Sequence, residues 1–283
     1  MNSRVLGARV NGIDTDCLTV ADRAVMFGDG VFETLLLHEG KPRFWLRHMA
    51  RLQAGCHQLH IAQTDEAVLR QEVEELIGST DCGGRGVLKI IISRGEGVRG
   101  YRPVSDASPT RIIQLHAWMD LPVVDAGVKT RLCTLRLGNN PALAGIKHLN
   151  RLEQVLARAE WDDEFAEGLL LDQAGRVIEG TMSNLFLVLK GDLVTPDLSR
   201  CGVAGITRSI VMELAEQAGL KVSVRDISKA ELFQADELFL CNSLMGIWPV
   251  LAVDSNCYGP GKVTAQLRAL LAAFNEDRHA WHS

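Results

Sequence analysis

The chain has 283 residues, 47% apolar and 23% charged, with a formal net charge of −5. That length exceeds what one small core takes, so two domains are expected, and the composition is that of an ordinary globular protein. A weakly acidic chain has no bulk attraction for nucleic acid or an anionic membrane, so any anionic ligand must be held by local Arg and Lys groups.

In chain order, Arg4–Val10 reads as a short strand and NGIDTD as a turn. Val31–Leu37 is a second strand, and the His38-Glu39-Gly40-Lys41 turn leads to a third apolar stretch. From Leu46 to about His60 the spacing turns helical, with Leu46, Met49, Leu52, Cys56 and Leu59 three or four apart. A second helix is expected over Asp65–Ile77. Val87–Ser93 and Arg111–Ala117 follow as strands. Residues 1–118 thus predict an N-terminal α+β domain, an α/β sandwich. Met119–Gly127, with its Pro, Gly and two Asp residues, predicts a linker.

Residues 128–283 predict a second domain. Val128–Leu137 is a strand and Leu149–Glu160 a helix. Leu169–Leu171, Leu185–Leu189 and Leu193–Thr195 are short strands. Ile206–Ala218 is an amphipathic helix ended by Gly219. Leu238–Cys241 and Ile247–Val253 are strands, and Val263–Phe274 is a final helix. So many short strands predict a β-barrel-like domain with helices around it. The fold class expected is α+β in two domains.

The seven cysteines form no CxxC pair, and the N-terminal residues lack the apolar core of a signal peptide. Both features point to reduced thiols in a cytoplasm. No apolar run approaches the roughly 20 residues of a membrane helix. His57 and His60 lie one helical turn apart, but nothing completes a metal site, so no metal is expected.

Gly95-Glu96-Gly97-Val98-Arg99-Gly100 fits GxGxxG and follows a strand. The dinucleotide fingerprint needs a helix directly after it, and Tyr101-Arg102-Pro103-Val104 cannot start one cleanly. A mobile, arginine-bearing loop is the better reading. GxSxG, GxxxxGK[ST] and HExxH are absent. Three other stretches carry more. In Gly145-Ile146-Lys147-His148-Leu149-Asn150-Arg151 a lysine ends an irregular segment just before the expected helix, where the macrodipole mildly disfavours it. Alone it reads as a surface lysine. Glu179 ends a strand before Gly180, and alone reads as a turn carboxylate. Gly202-Val203-Ala204-Gly205-Ile206-Thr207-Arg208 is a glycine-bearing loop entering a strong helix, either a plain N-cap or an anion site.

Together these segments resemble the fold-type IV pyridoxal-phosphate enzymes, which include branched-chain and D-amino-acid aminotransferases and aminodeoxychorismate lyases. The resemblance starts at Asp22-Arg23-Ala24 with Phe27-Gly28-Asp29-Gly30-Val31-Phe32-Glu33. It continues through His48-Met49-Ala50-Arg51-Leu52, Lys147, Glu179-Gly180, Ser183-Asn184-Leu185-Phe186 and Gly205-Ile206-Thr207-Arg208. It ends at Asn242-Ser243 and Pro249-Val250. Within the group, Leu143–Val155 and Ile92-Ser93-Arg94-Gly95 leading to Arg99-Gly100-Tyr101 are similar to the lyases. Branched-chain enzymes have a tyrosine a few residues after the lysine; Arg151 and Leu152 stand in that neighbourhood here.

The resemblance implies pyridoxal 5′-phosphate held as a Schiff base by Lys147, which then moves the proton. It implies Glu179 against the pyridine nitrogen, keeping it protonated. Arg51 would take the phosphate as a charge-assisted fork, with the Ile206 and Thr207 amides, the Thr207 hydroxyl and Ser243 completing the cup. The lyase reaction takes 4-amino-4-deoxychorismate to 4-aminobenzoate and pyruvate. Thr34 is a candidate for assisting proton transfer, and Arg99 for binding a substrate carboxylate with Tyr101 adding a hydrogen bond. Arg102 and Arg151 are alternatives to Arg99. A homodimer is also implied. The rival readings are an aminotransferase using the same Lys147, Glu179 and Arg51, and a cofactor-carrying protein without turnover.

Overall fold

The structure is a computed structural model that describes residues 4–104, 107–119, 127–259 and 261–274. These form two compact units: residues 4–119 with 147–150, and residues 127–146 with 151–274. Residues 120–126, most of the predicted linker, lie outside the described residues.

The first unit contains β1 (Val5–Val10), β2 (Ile13–Asp14), α1 (Arg23–Phe27), β3 (Gly30–His38) and β4 (Lys41–Pro42). It continues with α2 (Trp45–Gln58), α3 (Glu66–Ser79), β5 (Arg85–Ser93) and β6 (Thr110–Ala117). Its six strands pair antiparallel in the order β2-β1-β6-β5-β3-β4. Period-two alternation buries Leu35, Leu37, Leu88, Ile90, Ile92, Ile113 and Leu115. Against the sheet, α2 packs on β3, and α3 on β1 and β6. The Asp65 side chain caps α3 by accepting the Ala67 N–H. On α2 the buried stripe is Trp45, His48, Met49, Leu52 and Cys56, whereas Leu46, expected in it, is 50% exposed. Trp45 takes the inward position one residue earlier. The loop from Arg94 to Val104 contains no helix, in keeping with Pro103 near its end. Gly95 has φ +95°, and a Cβ there would lie 2.0 Å from the Ser108 carbonyl oxygen, so this glycine serves a close backbone approach.

The second unit opens with β7 (Val128–Leu137), α4 (Leu152–Arg158), β8 (Glu167–Asp172), β9 (Val177–Gly180), β10 (Asn184–Leu189) and β11 (Asp192–Pro196). It closes with α5 (Ile206–Gln217), β12 (Val222–Arg225), α6 (Lys229–Gln234), β13 (Glu237–Asn242), β14 (Gly246–Val253), β15 (Asn256–Cys257) and α7 (Lys262–Ala273). The sheet is mixed, in the order β12-β11-β10-β13-β14-β7-β8-β9, with β15 beside β14. Leu169 and Leu171 of β8, Val177 of β9, Leu185 and Leu187 of β10, Val194 of β11 and Leu240 of β13 share one core. Strands from opposite ends of the sheet meet there, so the sheet curls into a partial barrel. Outside it, α5 and α7 pack on each other and on β13. Gly219, at φ +77°, follows the end of α5 as expected.

The helix expected from Leu149 begins later, at Leu152. Residues 147–150 are not helical, with His148 bridged to Val31, and they group with the first unit. Among the described residues no helix is long and apolar enough to cross a membrane.

Leu240 is fully buried in the barrel core. Leu240→Ala is expected to cost about 2–5 kcal/mol, read as a lowered urea midpoint. An unchanged midpoint would mean that this core does not hold the unit together.

Candidate active site

In the first unit, residues 147–150 lie along the start of β3. The Phe32 N–H donates to the Lys147 carbonyl at 2.9 Å, and the Leu149 N–H to the Gly30 carbonyl at 2.9 Å. Val31 and His148 form an antiparallel bridge, and the Asn150 amide donates to the Gly28 carbonyl at 3.0 Å. Lys147 is therefore placed by strand-edge pairing, not by a helix start. Its Nζ lies 4.5 Å from the Phe32 ring centroid, and Nζ of Lys89 lies 5.4 Å from the same ring. Lys89 stands cross-strand from Thr34 and Gln114. Burial pulls the Lys89 ammonium down from its ordinary value.

Glu33 points to the other side of β3 and is 1% exposed. Arg51 donates from Nε to Glu33 Oε1 at 2.7 Å and from Nη2 to Oε2 at 2.5 Å; Nδ1 of His48 lies 2.6 Å from Oε2. Burial pushes the Glu33 carboxyl up, but Arg51 and then His48 outweigh it and hold the value at about 2. His48 is itself driven down by burial, partly offset by Glu33. The side chains of Arg99 and Arg102 are exposed, and the Tyr101 ring, 84% exposed, sits 5.4 Å from Phe27.

In the second unit, the loop before α5 is a junction. The Val203 N–H donates to Glu179 Oε2 at 2.8 Å, and the Val203 carbonyl accepts from the Asn184 amide at 2.9 Å. Gly145 donates to the Gly202 carbonyl at 2.9 Å and accepts from Ala204 at 3.1 Å. A Cβ on Gly205 would lie 2.0 Å from Asn184 Oδ1, so only glycine fits there. The segment before Lys147, the buried Glu179 and the start of α5 are thus tied to one short loop. Arg151 is half-buried; burial lowers it, while Glu179 and Glu153 support its charge. Behind Glu179, the buried Glu167 accepts hydrogen bonds from Gly168, Thr181, Met182 and Ser183, which set the turn into β10.

An anion fits the start of α5. Gly205 gives no side-chain cap, which leaves the first-turn N–H groups aimed outward. The Thr207 hydroxyl is 2% exposed and has no hydrogen-bond partner among the described residues. A phosphate would satisfy both. Ser243 is half-buried in the turn between β13 and β14.

Sequence reasoning assigned no role to Glu33, His48, Lys89 or Asn184. A signal existed for two of them: Glu33 and Lys89 each break an apolar strand pattern.

Residues 30–253 match the model of the Amino-transferase class IV family, and the chain belongs to that family. It is 37% identical over 270 residues to the aminodeoxychorismate lyase of Vibrio harveyi, covering 93% of this chain and 98% of that one. The crystal structure of 4-amino-4-deoxychorismate lyase from Pseudomonas aeruginosa superposes with a TM-score of 0.89 at 49% identity, covering 94% of this chain and 98% of that one. A T.th. branched-chain amino acid aminotransferase, solved with pyridoxamine 5′-phosphate, shares the fold at 22% identity and a TM-score of 0.84, covering 99% of this chain and 97% of that one.

The folded value of Glu33 lies below its ordinary 4.5, so its stabilisation is complete above pH 4.5 and lost as the pH falls towards about 2. Glu33→Ala removes the carboxylate that Arg51 and His48 share. It is expected to cost about 3–5 kcal/mol at pH 7 and to flatten the acid limb of the stability–pH curve. An unchanged acid limb would contradict the role given to Glu33.

Proposed function

We propose that this chain is a pyridoxal 5′-phosphate-dependent lyase converting 4-amino-4-deoxychorismate to 4-aminobenzoate and pyruvate. Near-full-length likeness to proteins named for that activity carries the reading. The uncapped start of α5 with its unpartnered Thr207 hydroxyl supports the cofactor.

When bound, pyridoxal 5′-phosphate supplies an electron sink for the carbon that bears the substrate amine. Lys147 would hold the cofactor through Nζ, and the same amine would remove the proton from the amine-bearing ring carbon of the substrate. Loss of the neighbouring enolpyruvyl group makes the substrate ring aromatic, so the protein mainly binds, orients and moves protons. Glu179 would keep the pyridine nitrogen protonated. Arg51, oriented by Glu33, would serve as a phosphate ligand, and the Ile206 and Thr207 N–H groups, the Thr207 hydroxyl and Ser243 would be the phosphate donors of the second unit. Thr34 assists proton transfer.

The substrate carries two carboxylates. Arg99 with Tyr101 takes one, and Lys89, half-buried beside Thr34, takes the other; Arg102 and Arg151 are the alternatives to Arg99. Exposed Val20, Val25, Met26, Val98 and Tyr101 in the first unit support a homodimer. The seven unpaired cysteines support a cytoplasmic protein, and the product points to folate biosynthesis. An aminotransferase on the same scaffold would use the same Lys147, Glu179 and Arg51, and the family's name favours that second reading.

Purified protein is incubated with enzymatically prepared 4-amino-4-deoxychorismate, and both products are followed. Equal, cofactor-dependent release of 4-aminobenzoate and pyruvate, faster than any amino-acid transamination, is the expected result. No product with brisk transamination would move the function to the aminotransferase. Lys89→Ala is expected to raise KM about 10-fold or more, the loss of one charge-assisted hydrogen bond, with the cofactor spectrum unchanged. An unchanged KM would remove Lys89 from the substrate site.

A further inference from the structure

The Asp22-Arg23-Ala24 and Phe27-Gly28-Asp29 segments hold buried polar groups that the reaction does not use. Asp22 caps α1 by accepting the Ala24 N–H at 2.8 Å, and its other oxygen accepts from the Ser93 hydroxyl at 2.9 Å. The Arg23 N–H donates to the Gly95 carbonyl at 2.9 Å, and the Gly97 N–H to the Ala21 carbonyl at 3.0 Å. The side chain of Arg23, on a residue only 3% exposed, then reaches the far side of the same loop. Its Nε donates to Asp29 Oδ2 at 2.8 Å, Nη1 to the Gly100 carbonyl at 3.3 Å and Nη2 to the Tyr101 carbonyl at 3.0 Å. Its guanidinium carbon lies 4.8 Å from the Phe27 ring centroid, and Phe27 in turn meets Tyr101. Asp29 is fixed from behind by two further bonds from Arg94, which also donates to the Leu59 and His60 carbonyls after α2.

A buried arginine thus holds the backbone at both ends of a loop tip that contributes little to any core: Val98 is 66% exposed, and Arg99 is exposed. Core packing does not account for that arrangement. We propose that Arg23, anchored by Asp29, is a positioning residue that presets the Arg99–Tyr101 backbone to receive a carboxylate-bearing substrate. The proposal rests on the assignment of Arg99 and Tyr101 to a substrate carboxylate. Holding a loop in its bound conformation removes the ordering cost otherwise met when ligand binds. It also turns the loop expected to be mobile into a clipped one. Lysine cannot replace the arginine, because one ammonium on a flexible stem lacks the planar fork that serves a carboxylate and two carbonyls together.

Arg23→Gln and the milder Arg23→Lys are compared with wild type and Arg99→Ala, all as holoenzymes. Amide hydrogen exchange over residues 98–102 reads the clip directly, and KM and kcat read its consequence. Both Arg23 variants are expected to exchange faster at the tip and to show KM raised about 10-fold, with a much smaller change in kcat and the same cofactor spectrum. Adding Arg23→Gln to Arg99→Ala is expected to raise KM by less than the product of the two single effects. Unchanged exchange at the tip, or full rescue by lysine, would overturn the clip. Faster exchange with unchanged KM would overturn its role in substrate binding. Unchanged KM in Arg99→Ala alone would instead sink the carboxylate assignment, while the exchange data still report on the clip.

Discussion

The placement of Lys147 depends on a strand edge. Two backbone hydrogen bonds to Gly30 and Phe32 and the Asn150 amide on Gly28 lay residues 147–150 along β3. A lysine side chain alone carries about 2 kcal/mol of rotamer freedom, so an amine with a set position needs a fixed backbone beneath it. The strand supplies that backbone. The same strand presents Phe32 and Thr34 on one side and turns Glu33 to the other, so one element positions both Lys147 and Arg51.

The second unit relies on main-chain placement as well. The Val203 N–H donates to Glu179, the Val203 carbonyl accepts from Asn184, and the neighbouring Gly202 and Ala204 pair with Gly145. Glu179 and the start of α5 are therefore spaced by a three-residue stretch of backbone. Placement of this kind tolerates little change, which is why Gly205 has no room for a methyl group.

Elements whose pattern is local could be read before any coordinates. β7 runs over Val128–Leu137 as its apolar pattern suggests, and α5 ends before Gly219. The start of α4 could not. Leu149, Leu152, Val155 and Leu156 recur at helical spacing, yet Leu149 pairs with a distant strand and the other three are more than half exposed. Strand-edge pairing across more than a hundred residues leaves no periodic trace. α1 was missed because five residues are too few to show a period, although Asp22 and Gly28 are proper caps. Of the candidate site, Lys147, Glu179 and the start of α5 stood out by type and context. Glu33 did not, since its meaning comes from Arg51 and His48 on another element.

The claim beneath the whole account is that Lys147 is the amine that carries the cofactor. The most direct measurement is borohydride reduction of the protein after incubation with pyridoxal 5′-phosphate, followed by peptide mass spectrometry. The account predicts one reduced phosphopyridoxyl adduct, on Lys147. An adduct on Lys89 or another lysine, or none at all, would contradict it.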